Sequence, residues 1–448
     1  MVSRHSGRRR IAVIGSGISG LSAAWLTSSA HDVVLYEHDE RLGGHSNTAM
    51  VATADGDIPV DTGFIVFNDK NYPNLVALFD HLGVVTEASD MSFAASIDDG
   101  GFEYSGTGLK GILGQRSNAA RPRFWRMLSD VLRFYREAEA TLARADLERV
   151  TLGEYLDRQR YSKSFIDDHL LPMGAAIWSM TTIDMRSYPL HAFLRFFVHH
   201  GLILLSGRPQ WRTVTGGSRA YVSRLAEAFQ GEIRLGCGAA SIERKPDAGV
   251  TVKDTKGGED RFDDVIIATH ADQALALLFD ADVVERGILG SFRYTDNVAV
   301  LHSDERLMPK RKAVWSSWNY IGDKRHNEST PLCVTYWMNR LQNIDERHPL
   351  FVTLNASREI REEKVIATYH YTHPLYDMPA MIAQRQLWEL QGRRNTWFCG
   401  AHFGSGFHED GLQSGLAVAE AVSGVRRPWA VPNESGRIFT TPLLAAAE

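Results

Sequence analysis

Residues 10–45 read RIAVIGSGISGLSAAWLTSSAHDVVLYEHDERLGGH, and few folds accommodate such a stretch. Ile11 to Ile14 is a short apolar, β-branched run that predicts a buried parallel strand. It breaks into Gly15-Ser16-Gly17-Ile18-Ser19-Gly20, then into a helical pattern carried by Leu21, Ala24, Trp25 and Leu26. A second apolar strand, Val33 to Tyr36, ends in Glu37. This is G-x-G-x-x-G in its required strand–turn–helix–strand setting, with an acid at the tip of the second strand. Gly15 permits the tight turn, Gly17 lets a pyrophosphate approach the backbone, and Gly20 lets helix and strand pack closely. Free N–H groups at the helix start hold phosphate charge, and Ser16, Ile18 and Ser19 of this turn are counted with the glycines as cofactor contacts. Glu37, seventeen residues past Gly20, accepts hydrogen bonds from an adenosine ribose.

The fingerprint alone does not choose between NAD and FAD. Arg41-Leu42-Gly43-Gly44-His45 follows the acid at once, and Val60-Asp61-Thr62-Gly63-Phe64 comes soon after. Glu–x3–Arg–x–Gly–Gly after the second strand resembles the flavin-containing amine oxidase superfamily, which includes monoamine and polyamine oxidases, phytoene-type desaturases and protoporphyrinogen oxidase. The resemblance implies that the double glycine is a second close approach of backbone to FAD. The chain departs from the pattern at His45, where relatives usually carry arginine. The fold implied is α/β: a Rossmann-like FAD-binding domain of the monoamine oxidase type with an inserted mixed α+β substrate domain.

The chain has 448 residues, long enough for two domains, and 44% of them are hydrophobic. A net charge of −5 argues against nucleic acid as a partner. Cys237, Cys333 and Cys399 lie far apart without C-x-x-C spacing, which fits a reducing compartment rather than a disulfide framework or zinc site. Arg8-Arg9-Arg10 before an apolar run imitates a leader peptide, but that run is the glycine-rich unit itself. Residues 1–9 therefore read as a short basic tail. No run of eighteen apolar residues occurs, so nothing spans a membrane. The expected location is cytoplasmic, with peripheral contact at the inner face of the membrane.

The expected FAD-binding domain takes in 1–70, 210–290 and 391–425, and the substrate domain 71–209 and 291–390, with 426–448 a tail. Asn47 to Thr53 and Ile58 to Val60 predict strands, and Asn71 to Leu82 a helix. Phe93 to Ile97 and Phe102 to Ser105 predict a hairpin. Arg121 to Arg149 predicts a long helix mixing arginines with aromatics. A membrane-surface helix and an ordinary amphipathic helix both fit, and the acids Glu137, Glu139 and Glu148 favour the second. Phe165 to Ser206 is rich in apolar and aromatic residues, and reads equally as core or as part of an apolar cavity wall. Ile233 to Ile242, Val250 to Asp254 and Arg261 to Phe262 predict a meander. Val298 to His302, Ala313 to Tyr320 and Cys333 to Trp337 predict strands of one antiparallel sheet, and Thr368 to Pro374 a further strand.

The superfamily resemblance places backbone near Ala239 against the adenine. It places the strand Asp264 to Thr269, with Ala268, beneath the FAD. Residues 397–415 read WFCGAHFGSGFHEDGLQSG, a strand, a Gly-rich loop and a helix start. In the superfamily this is the C-terminal FAD motif. Gly400 would lie by the ribityl or phosphate part. Gly411, Leu412 and Gln413, in the first helical turn, would point backbone at the N1–C2=O edge of the flavin, where a helix N-terminus stabilises the charge of reduced flavin. The strings GFHEDG, WNY, NRLQ and HP resemble a bacterial subgroup of predicted flavin amine oxidases associated with cyclopropane-synthase-like methyltransferases and with tailoring of membrane fatty acyl chains.

FAD performs the hydride or electron transfer, and the protein supplies orientation and a dry site. Candidate bases are His370, His373, His402, His408, Glu409 and Asp410, with His408 and Glu409 preferred because their loop must lie near the flavin. Glu409 and Asp410 also fit as caps of the last helix. No lysine matches the position at which amine oxidases often hold one near N5. Cys399 does not occupy the position of the covalent flavin cysteine, so non-covalent FAD is expected. The expected activity is an FAD-dependent oxidase or desaturase acting on an apolar substrate, a fatty acyl chain of a membrane lipid. An amine oxidase releasing peroxide and a non-catalytic FAD-fold binder are the alternatives.

Overall fold

The computed structural model describes residues 7–245, 249–322 and 332–441. Its organising element is a five-stranded parallel sheet, ordered Glu232–Arg234, Asp32–Tyr36, Arg10–Ile14, Asp264–Ile267, Thr396–Phe398. Both faces of a parallel sheet are covered, so its central strands are apolar throughout. Ile11, Val13 and Ile266 are fully buried on one face. There they meet the helices Ile18–Ser28, Pro73–Leu82, Arg219–Ala228 and His408–Ser423. The other face carries the meander Ala239–Lys245, Gly249–Asp254, Glu259–Phe262 and the helices Ala271–Leu277, Val283–Leu289 and Met378–Gln384.

The second unit is a seven-stranded sheet, ordered Val365–Leu375, Arg293–His302, Phe351–Leu354, Cys333–Trp337, Trp318–Gly322, Phe93–Ile97, Phe102–Ser105. A helical layer, including Pro122–Leu142, Leu152–Arg158, Leu171–Trp178 and Leu190–His199, packs on one end of it. The two units are stitched together by a small sheet, Phe67–Asn68, Trp211–Val214 and Thr86–Ser89, where the chain leaves the parallel-sheet unit and returns.

Several expectations change. Helix Pro73–Leu82 packs Leu75, Leu78 and Phe79 into the nucleotide-side core, not the inserted unit. Helix Met378–Gln384 does the same on the opposite face through Ala380 and Ala383. The run Ile233 to Ile242 is two strands, because Gly236 turns with φ +54° and Gly236 and Cys237 donate to the Asp39 and Glu37 carbonyls. The first strand joins the parallel sheet and the second starts the meander. Residues 313–317 do not extend the strand that starts at Trp318. The Ser316 N–H donates to the Asn319 side chain, which competes with a ladder. That strand runs parallel to Phe93–Ile97, so the large sheet is mixed rather than antiparallel. The long helix ends at Leu142. Its apolar stripe, Phe124, Met127, Val131 and Phe134, is buried, as in an ordinary amphipathic helix.

The described terminal segments are anchored. Arg8 and Arg9 pair with Asp32 and Asp264, while residues 1–6 and 442–448 lie outside the described residues. Residues 426–438 fold back over the closing helix. There Arg427 meets Glu420 and Arg437 meets Asp410.

Candidate active site

The first strand, turn and helix build a cradle. Gly15 has φ +96°, and a Cβ on it would sit 3.2 Å from the Ala268 carbonyl oxygen. A Cβ on Gly20 would come within 1.9 Å of the Gly15 carbonyl oxygen, which only glycine avoids. Gly17 is different: a Cβ there would meet no atom within 4 Å, so open space faces it. Behind Gly17 the helix starts with no side-chain cap and no acid in its first turn, although Ile18, Ser19 and Gly20 are buried. A buried helix start without a cap calls for an anionic partner.

Ser16 and Glu37 close the cradle on one side. Ser16 donates its N–H, at 2.8 Å, and its hydroxyl to Glu37 Oε2, and the Asp39 N–H donates to Oε1 at 2.9 Å. A carboxylate offers about four lone-pair sites, so Glu37 keeps capacity for a ligand hydroxyl. The Gly236–Gly238 turn crosses Glu37 and brings Ala239, half-buried, to the same end.

The double glycine forms the opposite wall. Gly43 and Gly44 have φ +107° and +56°, and a Cβ on Gly44 would lie 3.2 Å from the Gly17 Cα. Arg41 does not reach into the cradle; its Nη2 donates to the Gly44 carbonyl at 2.9 Å and braces the turn. The His45 carbonyl accepts from Phe64 N at 2.8 Å, and a Cβ on Gly63 would be 2.2 Å from that oxygen. Thus Gly17, Gly44, His45, Gly63 and Phe64 follow one another in space, from the first turn to the Gly63–Phe64 segment. Gly400 joins from the last strand: its N–H donates to Ser414 Oγ at 2.9 Å, and its Cβ position lies 3.4 Å from the Thr269 carbonyl.

The closing helix corrects one expectation. It begins at His408, so Leu412 and Gln413 lie in its second turn, with their N–H groups inside the helix. Leu412 is a core residue, and Gln413 turns its amide to Glu409 and its carbonyl to Arg437 N. The N–H groups at this helix start belong instead to His408, Glu409 and Asp410. Gly411 serves packing, with its Cβ position 2.8 Å from Ser19 Oγ of the first helix.

His408 and Glu409 point in different directions. The His408 ring stacks on Phe64 at 3.7 Å, and its Nε2 lies 2.9 Å from Ser46 Oγ and 2.7 Å from the Tyr221 hydroxyl. Burial lowers its pKa to about 3, so the imidazole is neutral at pH 7. Glu409 is fully buried and faces away from the cleft. Its carboxylate accepts from Asn74 N and Nδ2, Leu75 N and Gln413 Nε2, capping the helix Pro73–Leu82 across the interface. This assigns Glu409 to structure. Asp410 is likewise occupied, by Arg437 and by the Phe407 N–H.

The sequence showed no sign of the imidazole shell that forms here. His45 lies 5.0 Å from Tyr371, 5.5 Å from His373 and 6.2 Å from His270, ring centre to ring centre. His270 stacks on Tyr294 at 4.3 Å, and Asn297 Nδ2 lies 3.0 Å from His373 Nδ1. Burial lowers His45 and His270 to about 4, and His373 and His402 to about 3. Among the described residues His45 Nε2 and His402 Nε2 are buried without a partner, while His370 is exposed and takes no part. Among the described residues no group of His, Cys, Asp and Glu could hold a metal ion.

These features fit a dinucleotide. The Gly15–Gly20 turn and the helix start would hold its diphosphate, Glu37 its ribose, and the double glycine and Gly63–Phe64 its far end. Bound there, a flavin would supply the hydride acceptor.

Comparison with known proteins agrees. The sequence profile described as flavin containing amine oxidoreductase matches residues 18–423. Over 279 residues the chain is 29% identical to the Mycobacterium tuberculosis protein named "Putative flavin-containing monoamine oxidase AofH". That match takes in 60% of this chain and 59% of that protein. Among solved structures, the CLA-producing fatty acid isomerase from P. acnes superposes with a TM-score of 0.64 at 15% identity, covering 93% of this chain and 98% of that one. Cyclohexylamine oxidase from Brevibacterium oxydans superposes with the same score and identity, over 93% and 99%. At such identities the likeness is one of fold. With the profile running from the first helix to the end of the closing helix, across both halves of the cradle, the chain belongs to the flavin containing amine oxidoreductase family, whose cofactor is FAD.

Proposed function

We propose that this oxidoreductase binds FAD non-covalently and removes hydride from an apolar substrate, a fatty acyl chain of a lipid. The observation that carries the reading is the fate of the acids. Glu409 and Asp410, the two carboxylates in the first turn of the closing helix, are both committed to protein donors. Around the expected flavin end the remaining lining carries no acid free to take a cation: Phe64, Phe407, Tyr294, Tyr371 and neutral imidazoles. Such walls favour an apolar chain over a cationic amine, whose charge would find no acceptor. Every described lysine is exposed apart from half-buried Lys364, on the outer strand region, so none supplies a base inside. The printed name of the P. acnes neighbour, a fatty acid isomerase, is in keeping with an acyl substrate. His408, held through Nε2 by Ser46 and Tyr221 and stacked on Phe64, is the member of the expected pair that still faces the cleft. Cys399 is buried next to Gly400, which supports a flavin held without a covalent bond.

Among the described residues no helix is long and apolar enough to cross a membrane. On this reading an acyl substrate is met by peripheral contact, at the inner face of the membrane from the cytoplasm. The test is anaerobic mixing of the flavin-loaded protein with acyl lipids and with a panel of amines. Bleaching by lipid alone is the expected result. Bleaching by amines alone makes the protein an amine oxidase, and a colourless protein that takes up no FAD removes both enzyme readings.

A further inference from the structure

Arg195 sits in the middle of the helix Leu190–His199 and is half-buried. Among the described residues its guanidinium has neither an ion-pair partner nor a hydrogen-bond acceptor. The groups around it explain why. Tyr188 precedes its helix, and His191 and His199 lie one turn to either side. Asp410 faces it from the closing helix, Arg437 from the returning tail and Arg385 from the end of Met378–Gln384. Asp410 is the one acid of this set, and Arg437 holds it at 2.6 and 3.1 Å while the Phe407 N–H takes a further lone pair at 2.8 Å. Arg195 is thus an unanswered cation, partly withdrawn from water beside two other cations. Burial and the neighbouring arginines hold its pKa below the ordinary arginine value. An unpaired charge in such a place is unfavourable unless a ligand answers it.

Asp410 links this place to the cleft: it accepts from the Phe407 N–H, and Phe407 stacks on Phe196 at 4.7 Å and directly precedes His408. Trp178 packs on Phe196 and Tyr188 at 4.8 and 4.7 Å, and its indole N–H is buried with no acceptor. Two orphaned donors, the guanidinium and the indole N–H, therefore border one aromatic wall. On the outer side Ile382 is 60% exposed, three residues before Arg385.

We propose that Arg195 is the anchor for the anionic head of the acyl substrate, a carboxylate or a phosphate. The inference rests on the acyl-chain reading above. It makes the substrate an amphiphile: the head pairs with Arg195 and the chain runs past Phe196 and Phe407 toward His408. A free fatty acid and an anionic phospholipid share this chemistry.

The test uses the full-length, FAD-loaded protein and Arg195→Gln, with Arg195→Lys as the charge-retaining variant. Oleate and its uncharged methyl ester are titrated calorimetrically, and phosphatidylglycerol and phosphatidylcholine vesicles are tested by co-sedimentation. Loss of one charge-assisted contact predicts roughly tenfold or greater weakening for oleate in Arg195→Gln. The ester should keep its affinity, and Arg195→Lys should fall between. Arg195-dependent binding of oleate but not of phosphatidylglycerol assigns a carboxylate, and the reverse assigns a phosphate. Equal weakening of acid and ester, or none for either anion, overturns the proposal. The melting temperature without lipid is an independent readout. Arg195→Gln should melt at the same temperature or higher, and a clear fall would show that the protein itself satisfies Arg195 and would sink the idea. Arg195-dependent oleate binding with no anaerobic bleaching keeps the anion site and discards the acyl oxidation. Bleaching with an unchanged acid-to-ester ratio does the opposite.

Discussion

The carboxylate of Glu409 lies 2.8 Å from the side-chain amide of Asn74 and 3.1 Å from the N–H of the same residue. The closing helix thereby caps the helix Pro73–Leu82, whose own Ncap residue, Tyr72, supplies no side-chain cap. Glu409→Gln would place an NH2 group against these donors. The expected loss is about 2–3 kcal/mol of stability, read by urea unfolding. Turnover per bound flavin should change less than about threefold. A collapse of turnover in a protein of unchanged stability would return Glu409 to the chemistry.

Gly17 and Gly20 separate binding from folding. Alanine at Gly17 meets open space, so Gly17→Ala should melt as the parent does without FAD. Its methyl would stand where the diphosphate must approach, so FAD affinity should fall by at least about tenfold. Gly20→Ala forces a 1.9 Å contact with backbone and should yield little folded protein. Equal FAD affinity in Gly17→Ala and the parent would place the diphosphate elsewhere.

Arg437 holds Asp410 from the returning tail, and both are buried or nearly so. Arg437→Met leaves a buried carboxylate without its cation, which costs about 3–5 kcal/mol. Removal of residues 426 onward should do at least as much harm and lower the bound flavin content. A truncated protein of parental melting temperature would show that the tail is dispensable.

The imidazole shell predicts acid sensitivity. His45, His270, His373, His402 and His408 have folded pKa values of about 3 to 4, against about 6.5 when unfolded. The unfolded chain therefore takes up these protons first, and stability present above pH 6.5 is lost as pH falls toward 4. Each imidazole contributes about 1.4 kcal/mol per pH unit across that window. Asp61, raised to about 6 by burial, and Glu409, also raised, act with the opposite sign and offset part of the loss. Melting temperatures at pH 7.5, 6 and 5 should fall in order, and less steeply in His373→Gln. A flat profile would mean that the shell is hydrated.

The nucleotide half was legible because its constraints are local. A glycine that must avoid the carbonyl five residues earlier, an apolar strand buried on both faces and an acid at a strand tip are set by neighbours in the chain, and Gly15, Gly17, Gly20 and Glu37 stand where their spacing put them. The hairpin Phe93–Ile97 and Phe102–Ser105 was readable for the same reason. Sequence order alone did not disclose groups brought together by pairing across hundreds of residues. Whether Glu409 is a base or a cap depends on Asn74, and whether Arg195 has a partner depends on Arg437 having taken Asp410. The imidazole shell joins His45 to His270 and His373, which lie on separate strands and loops and share no periodicity. The chain by itself thus determined that this protein binds a dinucleotide, since backbone sterics and helix-end electrostatics act over a few residues. Only the tertiary structure decided which charges face the cleft, because burial and hydrogen-bond competition are properties of the packed molecule.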